Sequence, residues 1–191
     1  MALSKIDVAN MLTGSTPVAN GGTGLTSGTS GQFLKFTGST TLASSADNGK
    51  VLQVVKSTVT TSTIETTSST PSEISSDMRV TLTPSSTSSK ILIQFFFTFL
   101  VGNTTSAGIG IYRSINGGAY SKVSDGNGNE AFRQRLSDGY QISTTLINYD
   151  APSTTSQVIY TPYFWRQSGS STVRVNDNGM GSFTLATEVA S

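Results

Sequence analysis

The stretch Asp125-Gly-Asn-Gly-Asn-Glu130 places oxygen-bearing side chains at alternate positions, the way a calcium loop begins, because a hard cation is held by carboxylate and amide oxygens. That pattern needs Gly at its sixth position and a bidentate Glu at its twelfth. Here those positions are Glu130 and Leu136, so the segment reads as a solvated hairpin loop. Cleavage of a glycosidic bond takes two carboxylates roughly 5 to 10 Å apart across a cleft. Among the 11 acidic residues, Asp125, Glu130, Asp138 and Asp150 are the ones that could converge, yet nothing in their spacing joins them. Asn20-Gly-Gly-Thr-Gly24 has neither the spacing nor the Lys of a phosphate-binding loop. The chain has no His and no Cys, which removes the Ser-His-Asp arrangement, thiolate nucleophiles, Cys-based zinc sites and most transition-metal sites. The expectation is a protein without a catalytic residue, metal or cofactor.

Two sets of residues are better suited to binding than to reaction. Asp125, Asn127, Asn129 and Glu130, followed by Arg133 and Arg135, combine polar side chains with glycines. The two arginines share a face if that part is a strand, and such loops suit carbohydrate or protein contact. Tyr112, Tyr120, Tyr140, Tyr149, Tyr160, Tyr163 and Trp165 could stack on sugar rings, although rings in patterned strands more often fill a core or a subunit interface.

The elements that would position these residues are strands. Ser and Thr are abundant, charged residues make up only 12%, and Val, Ile, Phe, Tyr and Thr suit a pleated surface. The net charge of +1, with Lys and Arg scattered singly, supplies no basic stripe for a phosphate backbone, so nucleic acid is not an expected partner. The longest apolar run, Ile91 to Val101, is broken by Gln94 and Thr98 and falls short of the roughly twenty residues that span a bilayer. Membrane insertion and a cleaved signal peptide are therefore not expected.

About nine strands can be read between residues 47 and 191. They are Val51 to Val55, Thr58 to Thr66, Met78 to Thr83, Lys90 to Val101, Gly108 to Tyr112 with Ala119 to Val123 behind an Asn116-Gly-Gly118 hairpin turn, Tyr140 to Tyr149, Gln157 to Arg166, Thr172 to Asn176 and Ser182 to Val189. In the longest, Ile91, Ile93, Phe95, Phe97 and Phe99 point one way and Leu92, Phe96 and Leu100 the other. Both faces should then be covered, one by the core and one by a neighbouring subunit. The alternation Gly108-Ile-Gly-Ile-Tyr112 leaves one face without side chains, where another backbone can come close. Pro84-Ser-Ser-Thr-Ser-Ser and Pro152-Ser-Thr-Thr-Ser read as loops of shared chemistry. The fold expected is an all-β antiparallel sandwich, jelly-roll-like, with an immunoglobulin-like sandwich or small barrel giving the same pattern.

Residues 1 to 46 differ in character. Leu3, Ile6, Met11 and Leu12 could line one side of a short helix or extended peg, and repeated glycines from Gly14 to Gly38 break any long element, leaving Phe33 to Phe36 as a short strand. The segment reads either as a flexible linker or, more sharply, as an arm expected to order against a partner or against copies of itself, followed by a head over 47 to 191.

Pro17-Val-Ala-Asn-Gly-Gly-Thr-Gly24 with Gly28-Thr-Ser-Gly-Gln-Phe-Leu34 resembles the glycine-rich leaders of tailed-bacteriophage fibre and fibre-like virion proteins. Gly49-Lys-Val-Leu-Gln-Val-Val55, Thr83-Pro-Ser-Ser-Thr-Ser-Ser-Lys-Ile-Leu-Ile93, Asp150-Ala-Pro-Ser-Thr-Thr-Ser156 and Phe183-Thr-Leu-Ala-Thr-Glu-Val189 resemble the small heads that end many phage fibres. The resemblance implies a homotrimeric virion appendage assembled in the host cytoplasm. Its arm, through Leu3, Ile6, Met11, Leu12, Pro17, Asn20, Gly21, Gly22 and Gly24, would attach to another virion protein of the tail, the portal or adaptor, or the capsid. Its head would adhere to a host-surface glycan or protein through the loop bearing Asp125, Asn127, Asn129, Glu130, Arg133 and Arg135. A capsid decoration or cement protein is the rival expectation, and a glycan depolymerase a remote third.

Overall fold

The computed structural model describes residues 28–39, 41–45, 50–102, 104–123, 132–135 and 141–190, with 132–135 described by their backbone. The chain divides into two compact units, Met1–Asn48 and Gly49–Ser191. In the first, strands β1 (Phe33–Phe36) and β2 (Leu42–Ser45) form an antiparallel hairpin with Phe36 opposite Leu42. The Thr37 amide donates to the Thr41 carbonyl across the turn at 2.9 Å. Phe33, Leu34 and Phe36 are exposed. The anchoring candidates from Leu3 to Gly24 lie outside the described residues.

The second unit contains β3 (Val51–Lys56), β4 (Ile64–Thr66), β5 (Ser72–Glu73), β6 (Val80–Leu82), β7 (Lys90–Val101), β8 (Ser106–Ile115), β9 (Ser121–Lys122), β10 (Phe132–Arg135), β11 (Gln141–Asp150), β12 (Val158–Ser168), β13 (Val173–Val175) and β14 (Phe183–Val189). All described pairings are antiparallel. Four pairs of short strands act as interrupted runs, because β3 and β4, β5 and β6, β9 and β10, and β13 and β14 each lie along one edge of a longer neighbour or of each other's extension. Numbered by chain order, the eight runs pair first with eighth, second with seventh, third with sixth and fourth with fifth. The ribbon so formed is rolled up by the pairing of β7 with β13 and β14 and of β8 with β12. One sheet therefore reads β3/β4, β13/β14, β7, β11, and the other β5/β6, β12, β8, β9/β10. This is a jelly-roll β-sandwich.

β7 shows why the sandwich closes. Its run of Ile and Phe favours a pleated strand, and Ile91, Ile93, Phe95, Phe97, Phe99 and Val101 are all buried on one face. Phe95 and Phe97 stack with ring centroids 4.5 Å apart, and Phe97 meets Phe99 edge-on at 5.9 Å. The opposing sheet contributes Ala107, Ile109, Ile111, Val158, Tyr160 and Phe164 to the same core. Met78, Val80 and Leu82 do share a buried face as the alternation predicts, but Met78 sits in a 3-10 turn (Ser76–Met78) rather than in the strand. The stretch Thr58 to Thr66 is a strand only from Ile64 onward, with a single bridge between Thr60 and Ser182 before it.

Turns follow the residues that set them. Asn116 and Gly117 both have positive φ (50° and 73°), and the Gly118 amide returns to the Ile115 carbonyl at 2.9 Å, a type I′ hairpin turn. The two Pro-Ser loops repeat one device two residues after the Pro. Ser86 Oγ accepts from the Ser88 amide at 3.2 Å, and Thr154 Oγ1 from the Ser156 amide at 3.0 Å. Between β13 and β14 the chain leaves the ladder through Asn176, a buried residue at φ 61° whose Nδ2 donates to the carbonyls of Thr60 and Ser62 and whose Oδ1 accepts from Ser182 Oγ.

Candidate recognition and assembly surfaces

Asp150 is held by partners from the opposite sheet. It ends β11, on the edge of one sheet, and its carboxylate receives Arg113 Nη1 at 2.7 and 2.8 Å and the Tyr160 hydroxyl at 2.7 Å. Arg113 and Tyr160 belong to β8 and β12 of the other sheet, so the triad pins the two sheets together. Burial, followed by the neighbouring Asp150 charge, pushes the Tyr160 phenol far above its ordinary range. Asp125 and Glu130 lie outside the described residues, as do Asn127, Asn129 and Asp138.

The two outer faces of the sandwich differ in chemistry. On the sheet containing β7, the outward residues in register are Leu92 between Thr187 and Tyr149, Gln94 between Leu185 and Ile147, and Phe96 between Phe183 and Thr145. Val54 continues the first row across β3. Phe96 and Phe183 stack at 4.6 Å, with Lys56 Nζ 4.5 Å above the Phe183 ring. Val54, Ile147 and Tyr149 are 57%, 59% and 57% exposed, far more than solvent-facing strand positions with ordinary polar alternation would require of apolar residues. Beside them an open cleft of about 300 Å³ is lined by Phe96, Thr98, Ser143, Thr145 and Met180.

The outer face of the other sheet is aromatic and charged. Tyr112 and Tyr163 stack with centroids 4.0 Å apart, Tyr120 leans on Tyr163 at 6.0 Å, and Arg79 lies over Tyr120 at 5.6 Å. Glu73 accepts from Arg79 Nε and Nη2 at 2.7 and 2.6 Å and from Thr161 Oγ1 at 2.7 Å. Burial alone would raise the Glu73 carboxyl, but the bonds from Arg79 and Thr161 hold it below the usual carboxylate value. Burial raises the phenols of Tyr112, Tyr120 and Tyr163 above their ordinary value.

Trp165 lies on this face opposite Gly108, and Lys122 Nζ is 5.9 Å from its ring. A Cβ at Gly108 would stand 2.3 Å from Trp165 Cε2. The glycine stripe therefore receives an indole ring and not, as the sequence suggests, a second backbone. Gly108 is also in register with Arg133 of β10, and Ser106 with Arg135. The strand reading of that segment holds, and it places the two arginine positions on the edge strand of the aromatic sheet.

No known protein family matches the chain, and no curated protein matches it. Solved structures do. Infectious bursal disease virus of the Gt strain aligns at a TM-score of 0.46 and 8% identity, over 82% of this chain and 37% of that one. The Gx strain gives 0.44 and 9%, over 82% and 36%, and the crystal structure of the VP2 subviral particle of the same virus gives 0.40 and 10%, over 82% and 41%. The chain thus spans less than half the length of the proteins it aligns with. The jelly roll itself is fixed by strand order and register.

Of the aromatic candidates, the sandwich brings Tyr112, Tyr120, Tyr163 and the buried Trp165 to one face, buries Tyr160 in the core and sends Tyr149 to the opposite outer face, while Tyr140 lies outside the described residues. Glu73, Arg79 and Lys122 are joined to the aromatic set only by folding.

Proposed function

We propose that this chain is a structural, non-enzymatic protein of a tailed-phage particle, assembled in the host cytoplasm as a homotrimeric fibre or spike. Its N-terminal arm attaches to another virion protein and its jelly-roll head faces outward for adhesion to the host surface. The observation that carries this reading is the apolar outer face of the β7 sheet. Val54 and Ile147, with the half-buried Leu92, Phe96 and Leu185, form an apolar patch interrupted by Gln94 and Thr187 that a solitary head would leave partly against water, and association of copies removes such a patch from water. The arm supports the same reading, since a two-stranded hairpin showing Phe33, Leu34 and Phe36 to solvent is marginal by itself. Three arms acting together turn weak single attachments into a firm one.

Native mass measurement of the intact protein tests the assembly. A trimer is expected, with Leu92→Lys and Ile147→Lys together shifting it to folded monomer. A stable monomer at micromolar concentration sinks the proposal. Locating the chain in the intact particle tests the role: density at tail or fibre positions supports adhesion, whereas regular copies over the capsid lattice replace it with shell decoration.

A further inference from the structure

The two sheets end differently at their edges. An unpaired strand edge presents a row of free N–H and C=O groups, which proteins blunt with short strands, charges, Pro or bulges. The β8–β12 sheet follows that practice. One edge is broken into β5 and β6, of 2 and 3 residues, and the other into β9, of 2 residues, and β10, whose sequence includes Arg133 and Arg135. The β7 sheet does not. Its edge strand β11 pairs with β7 over 10 residues without a register shift, and from Gln141 to Tyr149 it has no charged residue and no Pro.

The hydrogen bonds fix which groups this edge leaves open. On the far side of β7 the Asn176 amide takes the Thr98 carbonyl at 3.0 Å, so the even-numbered residues of β7 face β13 and β14, and the odd-numbered ones face β11. Their partners are the even-numbered residues of β11, and the odd-numbered ones turn outward. The Tyr149 amide accordingly donates to Asn148 Oδ1 at 2.7 Å instead of to β7. Ser143, Thr145 and Ile147 point the same way. At the other edge the Ser57 amide donates to the Thr184 carbonyl at 2.9 Å, which turns Val54 and Lys56 of β3 outward. The Lys56 side chain is drawn aside over the Phe183 ring. Among the described residues, the outward backbone groups of Ser143, Thr145, Ile147, Val54 and Lys56 meet no partner.

Strand direction names the occupant. Every pairing in this sheet is antiparallel, so β3 and β11 at its two edges run in opposite directions. Copies related by rotation about an axis along the strands keep those directions, and β11 of one copy then meets β3 of the next antiparallel, the firmer pairing. A foreign strand would fill one edge and leave the other bare.

We infer that β11 of one copy adds to β3 of the next, with Thr145 opposite Val54 and Ser143 opposite Lys56, joining the β7 sheets edge to edge with their apolar outer faces turned toward the axis. This deepens the homotrimer reading, on which the number of copies rests, by naming the joint between them.

The chain contains no Cys, so an introduced pair reports on this joint alone. Within one head, β14 and β7 separate β3 from β11 by about 14 Å, too far for a disulfide. Intact Thr145→Cys with Val54→Cys, mildly oxidised, should run as covalently linked trimer on a denaturing gel, whereas Thr145→Cys alone should run as single chains. In the unsubstituted protein the Ser143, Thr145, Ile147 and Val54 amides should exchange with solvent at least about a hundredfold more slowly than free amides. A trimer by native mass whose edge amides exchange at the free rate, or whose double variant does not link, overturns the inference and keeps the homotrimer, held by its faces alone. Linking by Thr145→Cys alone also overturns it, since β11 then meets β11. Linked dimers or filaments of the double variant keep the joint and overturn the trimer; a stable monomer overturns both.

Discussion

Asp150→Asn should cost more stability than any change of equal size on the surface. The substitution keeps shape and removes charge, leaving the Arg113 guanidinium without its counter-ion between the sheets and the Tyr160 hydroxyl with a poorer acceptor. Breaking a buried pair costs about 3–5 kcal/mol. The Arg113 side chain retains 24% of its exposure, so water screens part of the stranded charge and the expected loss falls to about 2–3 kcal/mol. Tyr160→Phe, which deletes one bond to a charged acceptor, should cost about 1.5–3 kcal/mol. The pair is a mutual compensation, so Arg113→Met with Asp150→Leu should be much less destabilising than either single change. Urea unfolding of wild type, Arg113→Met, Asp150→Leu and the double variant gives the cycle, and the same measurement on Asp150→Asn and Tyr160→Phe gives their costs. If Asp150→Asn costs under about 1 kcal/mol, or if the double change is simply additive, the triad does not hold the sheets together and the reasoning fails.

Gly108→Ala forces the indole of Trp165 to lift, because the new Cβ would lie 2.3 Å from the ring; a loss of about 1–3 kcal/mol and a red-shifted emission are expected. Gly110→Ala is the milder comparison, its Cβ meeting Lys122 Cε at 3.4 Å and the Trp165 ring at 3.6 and 3.7 Å, ordinary contact distances, so it should cost less and shift the emission less than Gly108→Ala. Acid should destabilise the head through Glu188, which burial would raise but which the bonds from Gln53 and Ser85 hold below 4.5. A carboxylate depressed in the folded state contributes stability above its unfolded value and loses it as pH falls through the lower folded one, so melting temperature should drop below pH 4.5 and the drop should shrink in Glu188→Gln. Asn176→Gly keeps the left-handed backbone and loses the side-chain bonds, whereas Asn176→Ala loses both; denaturant midpoints should rank wild type, Gly, Ala.

The long strands were legible because their own residues demand them. β7 runs from Lys90 to Val101 as its uninterrupted Ile and Phe pattern predicts, and the Asn116-Gly117 turn follows from two residues that tolerate positive φ. β5 was not legible, since Ser72 and Glu73 carry no strand preference and become extended only by pairing with Phe164 and Tyr163 of β12. The aromatic face was half legible. Its rings stand out in the sequence, but Glu73 looks like an isolated acid until the turn at Ser76–Met78 brings Arg79 back to it. The glycine stripe was recognised as an open face and assigned the wrong occupant, because a flat indole and a backbone ask for the same empty space.

The rolled ribbon also dictates an order of events in the cell. Gln53 bonds Glu188 across 135 residues of sequence, and among the described residues β3 finds its ladder partner in β14. As the chain emerges from the ribosome, the first strand of the head must wait, unpaired, until β14 has been made. Pairings this remote close slowly and leave strand edges open meanwhile. The apolar outer residues of β7 and β11 that β14 later flanks are displayed through that same interval, so copies made close together can meet before any one of them has finished folding.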